Sequence, residues 1–236
     1  MSVSYDDFTE SLELANSLIS IEKDHYSNPP KHNERKFVQG LRGGAAVLMV
    51  AAFEHFLHDC MEENLTRLTK TPPLVDFNKL PEKMRIQSIF KTLERAMKGP
   101  PFQPSKPKKD RLVDIESACR IVVSSNINPN MFSETGSNPN SDTVSEMFSS
   151  IGISDVFNII KSKFEKKWGQ TVSSTFIRDK LDEIVIRRHV VAHTASALNI
   201  SRTDLNSSVK FLQVLSQVLY KELNSHIESL LTSAAL

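Results

Sequence analysis

Apolar residues recur at three- and four-residue steps along nearly the whole chain, and no stretch sustains the two-residue alternation of a half-buried strand. Phe8, Leu12, Ala15 and Ile19 form the first stripe and predict a helix over 4–26; Ser4 with Asp7 three residues on resembles a capping signal. A polar run over 27–33, holding Pro29 and Pro30, ends it. A long second helix is predicted over 34–70, with Leu41, Ala45, Leu48, Ala52 and Phe56 along one face. Over 45–57 it is apolar nearly all round, so it is the expected central buried helix. Gly40, Gly43 and Gly44 lower its helix propensity, and in exchange let another backbone come close.

Shorter helices follow over 81–98 and 111–126, joined by a proline-rich, basic stretch at 99–109 that reads as extended and exposed. The segment 133–141 is a loop, and two short helices are expected over 142–151 and 155–167. The last pair spans 176–197 and 202–231, the latter with Val209, Leu212, Leu215, Leu219 and Leu223 facing inward. No internal repeat is visible. The pattern describes an all-α bundle, one domain over 1–236 with an inserted helical and loop-rich region at about 98–170.

Composition narrows the function classes. Lys and Arg number 29 against 28 Asp and Glu, a net charge of +1, so bulk charge cannot hold nucleic acid and any such contact must be local. The two cysteines, Cys60 and Cys119, both fall in apolar-periodic segments and read as buried free thiols in a reducing compartment rather than a disulfide framework. Asp6, Asp7 and Glu10 stand where a secretory leader needs basic residues followed by an apolar run. The longest apolar run, 45–53, is far short of a membrane span. A cytoplasmic location without a membrane partner is expected.

The segment 181–193 carries the most chemistry. At about 100° per residue, Ile177, Leu181, Ile184, Val191, Ala192 and Ala195 share a face, and Arg188 sits in its middle. An arginine there keeps its charge, so it needs a carboxylate such as Asp59 or Glu54, a phosphate, or a wet cleft. Arg187 falls off the stripe and reads as a solvated surface residue. His193, near the helix end, is by itself more often structural than functional. His189 and His193, four apart, have a spacing that can bind zinc, but Val190 stands where H-E-x-x-H needs its glutamate. Glu54, His55 and His58 offer a second possible ligand set, with helix packing or a polar network as the simpler reading; no metal or cofactor is expected. The basic runs at 106–111 and 161–167 read as solvated faces, or at most secondary phosphate contacts.

Arg188-His189-Val190-Val191-Ala192-His193 fits R-x4-H and resembles the R-N-x-x-A-H signature of HEPN domains. Leu41-Arg42-Gly43-Gly44 running into Ala51-Ala52-Phe53-Glu54-His55-Phe56-Leu57 resembles the second helix of the RiboL-PSP-type branch. Asn138-Pro139-Asn140, then Met147-Phe148 and Ile151-Gly152-Ile153, is similar to that branch's middle region, and the helix over 205–223 matches in placement. The resemblance implies a bundle that pairs with a second copy and brings two R-x4-H motifs to one cleft. It implies an RNase of a toxin–antitoxin, abortive-infection or other antiphage system, with RNA as substrate and an antitoxin or defence-system protein as a further partner. Arg188 and His193 are then the catalytic pair, and His189 and Glu54 support them. RNA carries its own nucleophile, so a base and charge stabilisation suffice without a metal. An imidazole can move the proton near neutrality, and a guanidinium can hold the phosphate.

Two departures stand out. His189 replaces the usual Asn, and no Tyr follows His193, which argues against the branch silenced by nucleotide transfer onto that tyrosine. The alternative function is a non-catalytic HEPN module that binds RNA, a nucleotide or a partner protein. Residues five apart also lie about 140° apart on a straight helix. A long arginine arm, a bend near Ala192, or a second protomer must therefore close the gap between Arg188 and His193.

Overall fold

The first stripe folds as α1 (Val3–His25), with Phe8, Leu12, Ala15 and Ile19 all buried. The computed structural model describes residues 3–70, 75–99, 107–124, 127–136, 138–194, 197 and 199–234. Within them the chain continues through α2 (Arg35–Lys70), α3 (Glu82–Lys98), α4 (Leu112–Val123), α5 (Ser141–Ser150), α6 (Val156–Trp168), α7 (Phe176–Thr194) and α8 (Arg202–Ala234). Short 3-10 turns intervene, and no strand occurs among the described residues. The all-α reading holds. Most of the proline-rich stretch at 99–109, the end of the helix expected over 111–126, and Ala195 lie outside the described residues. Ser4 does not cap α1: it lies inside the helix, and its N–H reaches across to the Glu63 carboxylate at 3.3 Å.

Polar contacts fix the helix directions. Arg42 pairs with Glu22 and Ser4 with Glu63, so α1 runs antiparallel to α2. Arg42 donates to the Ile200 carbonyl and Arg67 to the Asn224 side chain, so α8 runs parallel to α2. Phe176 packs on Phe211 while Arg187 pairs with Asp204, so α7 is antiparallel to α8 and therefore to α2. α1 and α8 lie against α2, α7 covers another side of it, and α6 packs on α8.

The core runs along α2, where Phe53 and Phe56 are fully enclosed and Phe56 meets Phe8 at a ring separation of 5.2 Å. Truncating either ring would cost about 3–5 kcal/mol. Among the described residues α2 is the one helix long and apolar enough to cross a membrane; half of that apolar window is buried inside the bundle.

The middle region sits on this frame through a few polar ties. Asn140 caps α5 by accepting from the Thr143 N–H at 2.8 Å. The Asp182 carboxylate on α7 accepts from the backbone N–H and hydroxyl of Ser141 at 2.7 and 2.8 Å. Gly152 turns the chain at φ +99°, where a side chain would be strained and would press on Pro81. α4 packs chiefly on α3 and buries only Ala118, leaving Leu112, Val113 and Val123 exposed.

Cys119, on that helix, is exposed, which corrects the expectation of two buried thiols; Cys60 in α2 is buried. Burial, and then the charges of Glu63 and Asp59, push the Cys60 thiol well above its ordinary range. Because the thiolate is the reactive form, a chromogenic thiol reagent should modify one cysteine in the native protein and the second only on unfolding. Two equivalents reacting at once under native conditions would contradict this packing.

Candidate functional site

α7 begins as a core helix and ends as a surface one. Ile177, Leu181, Ile184 and Val185 are buried, Val191 is half-buried, and Ala192 and His193 are exposed. Arg188 falls at the changeover and is itself half-buried. The cause lies in the facing helix. At this level α2 offers Gly40, Gly43 and Gly44, and a Cβ added at Gly43 would meet Val191 at 3.0 Å. Backbones come close there, but no large side chain on α2 closes over the end of α7. An open groove of about 700 Å³ results, lined by Lys36, Gln39, the three glycines, Val47, Val191 and Ala192.

Arg188 shares the inward face of α7 with Leu181 and Ile184, yet it has no hydrogen bond or ion pair among the described residues. The carboxylates available to it at the sequence level are otherwise engaged. Asp59 takes His55 at 2.6 Å and His58 at 3.0 Å, and Glu54 accepts from the Thr135 hydroxyl at 2.6 Å. With α7 antiparallel to α2 and Val191 opposite Gly43, Glu54 lies roughly 12 Å farther along the axis than Arg188. Glu54 is thus placed against the loop that precedes α5, and no contact joins it to Arg188, His189 or His193 among the described residues.

His189 and His193 are exposed and their rings touch in a tilted arrangement, centroids 4.2 Å apart at 55°. They occupy the outer flank of α7 with Ile186 and Val190, which are 61% and 39% exposed. α7 stays helical through Ala192 to Thr194, so a break there does not bring His193 to Arg188. No group of three or more His, Cys, Asp or Glu suited to a metal ion occurs among the described residues.

Arg187 overturns its expectation as a solvated residue. Its side chain is only 25% exposed and pairs with Glu183 on its own helix and with Asp204, 3.3 Å away in the first turn of α8. A wheel shows one buried face, but α7 is flanked by α8 as well as α2, and Arg187 lies on that second flank. Hydrogen bonds from Ser201, together with Arg187, hold the Asp204 carboxyl below its ordinary range against the opposing effect of burial.

A buried ionic network at the level of the motif also escaped the sequence reading. The Glu22 carboxylate accepts from Arg42 Nη2 at 2.8 Å and from Arg202 Nε at 2.5 Å, and Arg42 Nη1 donates to the Ile200 carbonyl at 2.9 Å. Burial opposes ionisation of Glu22, but the hydrogen bonds from Arg202 and Arg42 outweigh it and hold the carboxyl below its ordinary range. The network pins the start of α8 and Ile200, just beyond the end of α7. Its signal was present: Glu22 continues the α1 stripe three residues past Ile19, and Arg42 falls between Val38 and Ala45 in α2, so the two stripes carry single charges of opposite sign.

An all-α bundle whose penultimate helix carries R-x4-H beside an open groove defines a HEPN-type domain. A family model described as RiboL-PSP-HEPN matches residues 6–225, and the chain belongs to that family. No match occurs among curated proteins or among solved structures. The family points to a nuclease or RNA-related module.

Proposed function

We propose that the protein is a metal-independent endoribonuclease of a bacterial toxin–antitoxin or antiphage type, acting in the cytoplasm as a homodimer, with an antitoxin or defence-system protein as a further partner. One observation carries the catalytic reading: a half-buried arginine with no carboxylate partner beside an open groove, on the helix whose outer flank carries two exposed histidines. A permanent charge held partly out of water needs an anion, and an RNA phosphate supplies one.

In the proposed reaction His193 takes the proton of the ribose 2′-hydroxyl. O2′ forms a bond to phosphorus, the bond to the 5′-oxygen breaks, and that oxygen leaves with a proton. Arg188 balances the charge that builds on the phosphoryl oxygens, and His189 is placed to supply the second proton or hold the phosphate. Because Arg188 and His193 face different sides of α7, a second copy completes the site. Exposed Ile186 and Val190, beside the histidines, offer the apolar contact that a two-fold pairing uses twice. Glu54 acts at most through the loop it holds.

Total RNA incubated with purified protein should be cut in excess EDTA, leaving 2′,3′-cyclic phosphate and 5′-hydroxyl ends. Activity lost with chelator and restored by zinc would favour the His189/His193 metal reading. RNA bound but left intact by the wild type would favour the non-catalytic module.

A further inference from the structure

The basic run at 161–167 is more than a solvated face once folded. Lys163, Lys166 and Lys167 of α6 converge with Lys221 of α8 on a hollow of about 470 Å³ whose floor includes Val218. At the other end of the α6–α8 seam, the Lys210 ammonium lies 4.7 Å from the centre of the Trp168 ring. Lys210 and Lys221 are eleven residues apart, three helical turns, so they fall on one line about 16 Å long.

The charges there are not balanced locally. Lys161 pairs with Glu165, and Lys163 with Glu222 at 2.5 Å. Lys166, Lys167 and Lys221 have no carboxylate partner among the described residues, and all three are exposed. Lys163, Lys166, Lys167, Lys210 and Lys221 thus stand against Glu222 along this seam, in a chain whose overall charge is only +1. Like charges gathered in a concavity repel one another, and the low-dielectric wall concentrates their field outward.

We infer that this groove is a phosphate-binding track for the backbone of single-stranded RNA, separate from the Arg188 site. The inference rests on the RNA reading above. Lysine suits this role as a point charge that binds phosphate without reading sequence, and the aliphatic stems over Val218 give ribose and base faces an apolar surface. Along α8 from Asp204, the partner of Arg187, Lys210 lies six residues and Lys221 seventeen residues away, so the track runs from about 9 Å to about 25 Å from that contact. RNA engaged at both places would be held by a span longer than the nucleotides being cut. It also shows how a nearly neutral chain can hold a polyanion.

The test replaces Lys166, Lys167 and Lys221 with Gln together, leaving Lys163 to neutralise Glu222. Binding of a sixteen-nucleotide RNA with every 2′-hydroxyl methylated, and hence uncleavable, is measured across a salt series. Each lost phosphate contact should flatten the slope of log K against log salt by about 0.7. The triple variant should therefore lose about 2 from the wild-type slope. A control variant with the exposed Lys23, Lys70 and Lys83 changed to Gln removes the same charge outside both basic runs and should keep nearly the full slope. Equal losses in both variants, or none in either, would overturn the track while leaving the RNA reading standing. Wild-type protein that binds no RNA at any salt would defeat the RNA reading itself, and the track with it.

Discussion

Replacing Arg188 with alanine should reduce RNA cleavage by a hundredfold or more while leaving the protein folded. The arginine is half-buried but unpaired, so its removal exposes no orphaned carboxylate and disrupts no ionic network. Changes at such sites usually stay within about 0.5 kcal/mol. In the proposed site, by contrast, it is the group that meets charge as it builds on phosphorus, and loss of one such donor costs about 10²–10³ in rate. His193→Ala should cost about 10²–10⁴, the usual share of a positioned base. Arg187→Ala is the informative comparison. Its side chain joins Glu183 and Asp204 across α7 and α8, so that variant should melt earlier, yet its folded fraction should cleave at close to the wild-type rate. Single-turnover assays on the three variants, each checked by circular dichroism, separate these outcomes. Wild-type rates in both Arg188→Ala and His193→Ala would show that the chemistry lies elsewhere. Full loss in Arg187→Ala with an unchanged melting curve would shift the charge-bearing role to the neighbouring arginine.

The helices were legible because each has its own stripe. Phe8 to Ile19, the all-round apolar middle of α2, and Val209 to Leu223 on α8 need no tertiary information to be recognised. The motif was legible for a different reason: a charge in an apolar stripe marks Arg188 on a wheel, and the resemblance to R-N-x-x-A-H joins His193 to it. What the wheel omits is the partner surface. It places Arg188 at the centre of a buried face, but one turn farther along α7, at Val191 and Ala192, the cover gives way to a groove lined by the glycines of α2. Arg187 was misread because its flank becomes interior only when α8 folds back along α7. Cys119 was misread because an amphipathic pattern does not say whether anything will cover it, and α3 covers only the Ala118 side. The lysine groove depends on Lys221, distant in sequence, arriving beside 163–167.

Glu22→Gln should be the most destabilising conservative substitution at the end of the bundle where α1 meets the start of α8. The change preserves volume and one acceptor oxygen and removes only the charge, so Arg42, 3% exposed, loses its counterion in the interior. Breaking a buried pair from one side typically costs roughly 3–5 kcal/mol. At 2–4 °C per kcal/mol for a chain of this size, the melting temperature should fall by about 10 °C. The same residue sets a pH dependence. Because Arg202 and Arg42 hold its carboxyl below the ordinary value of 4.5, the folded state keeps the proton off where the unfolded chain begins to take it up. The stability it contributes is therefore complete above about pH 4.5 and is lost as the pH falls through the lowered folded value. Melting curves of wild type and Glu22→Gln should accordingly lie well apart at pH 7 and draw together as the solution is acidified below pH 4.5. Arg42→Met added to Glu22→Gln should recover part of the loss, since a buried apolar side chain needs no counterion. The Arg202 hydrogen bonds to the Glu22 and Tyr26 carbonyls would remain to hold the start of α8. A melting temperature within 2 °C of wild type for Glu22→Gln, or a gap that persists unchanged below pH 4, would mean that this network does not anchor the segment following the motif helix.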